Sequence, residues 1–148
     1  MSKKLTSYKR TSVNFLKSQQ YISKLLLKHG IEDLQFTQTR KKIGFKFLYP
    51  QDNIKLGVLI TLNLPEISDK KKQEQIINQY WRALYYYLKS KLEAVEFGIR
   101  EFIEEFFADL IIKQLLGGQD LTVRDQIIPQ LDKAIKENRQ PDIKLLTE

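Results

Sequence analysis

Lysine and arginine carry the most concentrated chemistry in this chain. They cluster at Lys9-Arg10, Arg40-Lys41-Lys42 and Lys70-Lys71-Lys72. Cations at this density hold phosphate through charge-assisted hydrogen bonds and release counterions as they do so. The excess is confined to the first half. Residues 1–72 hold 15 Lys and Arg against 5 Asp and Glu, and residues 73–148 hold 10 against 13. With a formal net charge of +7, this asymmetry points to a polyanionic partner. The plain alternative is that the lysines serve solubility. A second group is Tyr80, Trp81, Arg82, Tyr85, Tyr86, Tyr87 and Lys89. Trp81 falls on an apolar helical stripe, and Tyr85 and Tyr86 point away from it. Beside Arg82 and Lys89 those two rings can stack nucleobases. They can equally bury a second helix face against another helix or a second subunit, and packing is the simpler role.

Other chemistries fare worse. The chain has no Cys, which excludes disulfides, thiolate zinc sites, iron–sulfur clusters and a Cys nucleophile. His29 is the one histidine, so a multi-histidine metal site is excluded too. It precedes Gly30, where a histidine complements the C-terminus of a helix. Glu93, Glu96, Glu101, Glu104, Glu105 and Asp109 suggest a two-metal nuclease. Such a site needs carboxylates converging from different elements, and spacing along one helix does not supply that. Glu93 has a simpler partner in Lys89, four residues earlier. Neither GxxxxGK[ST] nor GxGxxG occurs, so no phosphate loop of known type is present. No catalytic set, metal site or cofactor follows from the sequence.

The elements that position these residues read clearly in places. Residues 1–11 form a polar, basic arm. Phe15, Ile22, Leu25 and Leu26 recur at helical spacing, with Ser12 as N-cap and Gly30 as the glycine after the helix end. Three strands follow. Leu34 and Phe36 alternate with polar residues, as do Ile43, Phe45, Phe47 and Tyr49, then Ile54, Leu56, Val58, Ile60, Leu62 and Leu64. The short links Thr39–Lys42 and Pro50–Asn53 predict an antiparallel meander with one apolar face for helices to cover. Ser68 or Asp69 caps a new helix. Its stripe runs from Ile77 through Trp81, Leu84, Leu88, Leu92, Val95, Ile99, Phe102 and Phe106 to Leu110, with Gly98 as a point of fracture and Gly117-Gly118 as its stop. A last helix begins near Thr122, with Asp125 at the capping-box position and Pro129 inside it.

This order assigns directions. If strand one runs upward, the Arg40-Lys41-Lys42 tip and the end of strand three both lie at the top. Lys70-Lys71-Lys72 then follow there, and a first helix antiparallel to strand one brings Lys9 and Arg10. Lysines in a helix's first turn oppose the helix dipole, yet the free N–H groups of such a turn bind phosphate.

Two segments carry a resemblance. Gln79-Tyr80-Trp81-Arg82-Ala83-Leu84 with Leu88–Gly98, and Glu104-Glu105-Phe106-Phe107-Ala108, resemble the central helix of a small protein family of tailed phages, prophages and cyanobacterial genomes. Leu121-Thr122-Val123, Ile128-Pro129-Gln130-Leu131, Pro141 and Leu145-Leu146 fit the same pattern. That family has no established activity, so the resemblance implies a mobile-element setting and no mechanism.

The expectation is an α+β fold: an arm (1–11), one domain (12–140) holding a helix, a three-stranded meander, a long or broken helix and a C-terminal helix, and a tail (141–148). The expected function is non-enzymatic nucleic-acid binding in the cytoplasm, through the phosphate backbone. Its residues are Lys9, Arg10, Arg40, Lys41, Lys42, Lys70, Lys71, Lys72, Arg82, Tyr85, Tyr86 and Lys89. The alternative is a protein-interaction module, an inhibitor of a host protein or an oligomer, that uses the Tyr-rich helix. No run is long and apolar enough to span a membrane, and the first residues lack the apolar core of a secretion signal.

Overall fold

A computed structural model describes residues 8, 11–114 and 118–144. The expected α+β architecture is present. Helix α1 (Phe15–Lys28) leads into strands β1 (Leu34–Gln38), β2 (Lys42–Gln51) and β3 (Ile54–Asn63), then helix α2 (Lys70–Glu96). A short helix α3 (Phe102–Glu105), a 3-10 turn at Phe107–Asp109, strands β4 (Ile111–Gln114) and β5 (Asp120–Thr122), and helix α4 (Val123–Lys136) complete it. No helix among the described residues is long and apolar enough to cross a membrane.

The first helix starts later than Ser12. Asn14 is its N-cap, accepting from the Leu16 N–H at 2.8 Å. The Phe15 N–H is satisfied from outside the helix, by Asn78 Oδ1 of α2 at 2.9 Å. At the other end Gly30 has a φ of +78°, and Gly30 and Ile31 donate back to Leu27 and Leu26. The His29 ring nitrogen Nδ1 lies 2.9 Å from the Leu25 carbonyl, which is the capping role expected of it.

The three strands pair antiparallel in the order β1-β2-β3, with Phe36 opposite Phe45 and Phe45 opposite Ile60. Period-two alternation sends Ile43, Phe45, Phe47, Val58 and Ile60 to one face, where all are buried. Helices α1 and α2 cover that face with Ile22, Leu26, Trp81, Leu84, Leu88 and Leu92. The Trp81 ring meets Phe36 edge-on, and its N–H donates to Gln38 Oε1 at 2.8 Å. The buried indole therefore keeps a hydrogen-bond partner, as a buried polar tip requires.

The apolar stripe breaks where Gly98 falls, as the glycine suggests, and the stripe does not resume as a long helix beyond it. Helix α2 stops in a Schellman motif: Gly98 has a φ of +76°, and Gly98 and Ile99 donate to Val95 and Ala94. Phe102 and Phe106 turn back onto the sheet against Phe47, with Phe102 also stacked on Tyr49. The 3–4 spacing of the stripe is real, but successive apolar residues belong to different elements. Leu110 bridges to Val58 on the free edge of β3, and β4 and β5 form a hairpin. Ile111 packs on Gly57, and Lys46 bonds Asp120 at 2.8 Å. Gly118, with a φ of +83°, lies between β4 and β5 rather than at a helix end, and Gly117 is outside the described residues.

Helix α4 begins as its sequence predicts, with Thr122 and Asp125 bonding each other's backbone in a capping box and Pro129 inside. Asp109, 5% exposed, anchors it by accepting two bonds from Arg124, at 3.1 and 3.3 Å. Part of the tail is held as well: the Lys144 backbone bonds the side chains of Gln126 and Gln130.

Candidate functional site

The candidate residues fall into two groups. The first is at the end of the sheet where β1 turns into β2. The Thr39 hydroxyl accepts from the N–H groups of Lys41 and Lys42, and its own N–H donates to Lys42 O at 2.8 Å. The tip is therefore organised by its backbone and leaves the side chains of Arg40, Lys41 and Lys42 exposed. Leu64, just past β3, donates to Lys41 O at 2.7 Å. That bond fixes the end of β3 beside the basic tip, and α2 starts six residues later. The N-terminal part of α2 is near the tip, since its Gln73 and Ile77 line a cleft with Arg40 and Lys41.

A cleft of about 880 Å³ separates the tip from α2. Gln38, Thr39, Arg40 and Lys41 line one side, and Glu66, Ile67, Ser68, Gln73 and Ile77 line the other. Lys70 shares a helix face with Gln73 and Ile77, three and seven residues on, whereas Lys71 points to the opposite side. Arg40, Lys41, Lys42, Lys70, Lys71 and Lys72 are all exposed and have no ion-pair partner among the described residues. Lys9 and Arg10 lie outside the described residues.

One detail of the expected anion site is corrected. The three lysines do occupy the first turn of α2, but the N–H groups of Lys71 and Lys72 are already taken. Asp69 caps the helix, accepting from Lys71 at 2.9 Å and Lys72 at 3.3 Å. A carboxylate of the chain itself answers the helix dipole there. The N–H groups of Lys71 and Lys72 are therefore not offered to an external phosphate.

The second group lies further along α2, beside α1. Tyr85 and Tyr86 are half-buried, and their packing partners belong to this same chain. Tyr21 of α1 is 5.5 Å from Tyr85, centroid to centroid, and Tyr8 of the arm stacks on Tyr86. Arg82 Nη2 donates to the Tyr86 hydroxyl at 2.9 Å, and its guanidinium lies over Tyr21, Tyr85 and Tyr86. Lys89 approaches Glu93 at 3.8 Å, the pairing its spacing predicts. The lysines of α1 escape a reading of clusters, because Lys17, Lys24 and Lys28 are scattered in sequence. They share a face with Tyr21 at i, i+4, i+7 and i+11, a signal that helical spacing does contain.

The acidic residues do not converge. Glu105 pairs with Lys91 at 3.3 Å, Glu104 accepts from the Glu101 N–H, and Asp109 holds Arg124. No group of three or more metal-ligating side chains occurs among the described residues. Lys91, which its sequence position does not mark, is 9% exposed. Its ammonium donates to Glu105 O at 2.7 Å and lies 5.0 Å from the ring centres of Tyr87 and Phe106. It ties α3 to α2, a structural use of charge.

Comparison of the chain with protein-family models, with curated proteins and with solved structures finds no match.

Proposed function

We propose that the protein binds nucleic acid through its phosphate backbone, without enzymatic activity of its own, as an accessory protein of phage or mobile-element type. The observation that carries this reading is the cleft at the top of the sheet. Arg40 and Lys41 line one side of it, α2 contributes Gln73 and Ile77 to the other, and the exposed lysines Lys70, Lys71 and Lys72 stand in the first turn of that same helix, without an ion-pair partner among the described residues. The other lining groups are mostly neutral; Glu66 lines the cleft, and Asp69 and Glu74 lie within one helical turn of the lysines of α2. Lysine and arginine contacts of this kind position a protein on a polymer and read no sequence. The test is fluorescence anisotropy with labelled duplex DNA, single-stranded DNA and RNA at low and moderate salt. Tight binding that weakens steeply with salt supports the reading, and no binding at low salt overturns it.

A protein-interaction role is the second reading, and exposed apolar side chains support it around the α2–α3 turn. Tyr80, Tyr85 and Tyr86 of α2 are packed within the chain, whereas Phe97, Ile99, Ile103 and Phe107 are 78%, 63%, 40% and 51% exposed around the α2–α3 turn, and Tyr87 is 42% exposed. Light scattering that returns a strict monomer, for wild type and for Phe97→Ser/Phe107→Ser alike, counts against self-association there.

A further inference from the structure

We propose that the α1–α2 face binds single-stranded nucleic acid, with one base stacked on Tyr86 in the place that Tyr8 holds. The inference rests on the nucleic-acid reading above and adds a second surface and a class of polymer to it.

Tyr8 lies against Tyr86 with ring centroids 5.3 Å apart and planes only 7° from parallel. That is the offset stack a nucleobase makes on an aromatic side chain. The occupant is weakly installed. Tyr8 is 39% exposed, and its φ of +59° is a left-handed conformation disfavoured for an L-residue with a bulky side chain. The platform is firm by contrast. Arg82 bonds the Tyr86 hydroxyl and sits 4.7 Å from the ring centre, so the ring keeps its orientation if Tyr8 leaves.

The charge around the platform suits a polymer backbone. Lys17, Lys24 and Lys28 rise along one face of α1 for about 16 Å, at 1.5 Å per residue. All three are exposed and without an ion-pair partner among the described residues. Tyr21, on the same face, reaches Tyr85 and Arg82, which sets this lysine row beside the stacking platform. A row of cations next to an aromatic platform is how proteins hold single strands without sequence preference. Bases inside a duplex are already stacked and cannot take the place of Tyr8, so the platform distinguishes single strands from duplex.

The test is anisotropy of the full chain with a labelled oligothymidylate and with a duplex of equal length. Tyr8→Ala removes the competitor, and single-strand affinity rises about 2- to 10-fold, the range of one aromatic stack. Tyr86→Ala removes the platform and lowers it about 5- to 150-fold, while Tyr86→Phe keeps the ring and stays near wild type. Duplex affinity is unchanged in all three. Should Tyr86→Ala fail to fold, Tyr8→Ala decides alone, since it alters only the arm. Single-strand affinity within 2-fold of wild type in Tyr8→Ala, or equal shifts for both polymers, overturns the inference and leaves the sheet-end reading standing. Failure to bind either polymer overturns both.

Discussion

Replacing Arg40, Lys41 and Lys42 together by Gln tests the basic end of the sheet quantitatively. The change is confined to three exposed side chains. The turn itself is held by the Thr39 hydroxyl and by backbone bonds from Thr39 to Lys42 and from Leu64 to Lys41, which the substitutions leave alone. Stability should therefore stay within about 0.5 kcal/mol of wild type. Binding should not. With all six described cations of this end each neutralising one phosphate, the upper limit since Lys71 faces away from Lys70, log K falls with log salt at a slope of about −5.4 on duplex DNA. Between 50 and 200 mM salt that is roughly a 2,000-fold loss of affinity. The triple variant keeps three contacts, so the slope halves to about −2.7 and the loss over the same interval shrinks to roughly 40-fold. Anisotropy titrations at four or five salt concentrations read both slopes. Lys133→Gln/Lys136→Gln/Lys144→Gln is the control. It removes the same formal charge from exposed positions on and after α4. Its slope should match wild type if contacts matter and net charge does not. A triple variant with an unreduced slope, or a control that loses as much, refutes the proposed surface.

Three further predictions concern the frame. Asp69→Ala removes the cap of α2 and should cost about 1 kcal/mol in urea unfolding, while Asp69→Asn keeps the acceptor and costs less; both should bind duplex more tightly, since a carboxylate leaves the lysine cluster. Lys91→Met keeps the apolar stem but removes the charged bonds to Glu105, whose side chain is 23% exposed. Because that carboxylate can turn partly to water, the loss should be about 2 kcal/mol, not the larger cost of a fully buried pair, followed by the fluorescence of buried Trp81. Gly44→Ala puts a Cβ against Ile60 O and, at 2.9 Å, Thr61 Cα. Both belong to the backbone of β3 and cannot swing aside, so a loss of about 3 kcal/mol is expected, and a thermal midpoint equal to wild type would refute the strand packing.

Local chemistry alone determined much of this molecule. The alternation in β2 and β3, the glycine after His29, the cap at Asp69 and the Thr122–Asp125 box each act over a few residues. Period two sends every second side chain to one face, and an N-cap needs only its own turn, so such features are legible in the chain. That α2 starts near the Arg40–Lys42 end of the sheet was legible for a related reason: short links leave a meander little topological choice. What the tertiary structure decided are events between distant residues. Phe106 and Leu110 continue the helical spacing of α2, yet Leu110 pairs with Val58 and Lys46 bonds Asp120, 74 residues away. Strands of four and three residues are too short to show a period of their own; they are strands because they pair with each other, and Leu110, just before β4, bridges them to the free edge of β3. The tyrosines are the same case. Spacing places Tyr85 and Tyr86 off the core stripe, but only the approach of α1 and the arm brings Tyr21, Tyr8 and Arg82 around them. A side chain's face follows from its own helix, whereas its burial depends on which other element arrives there.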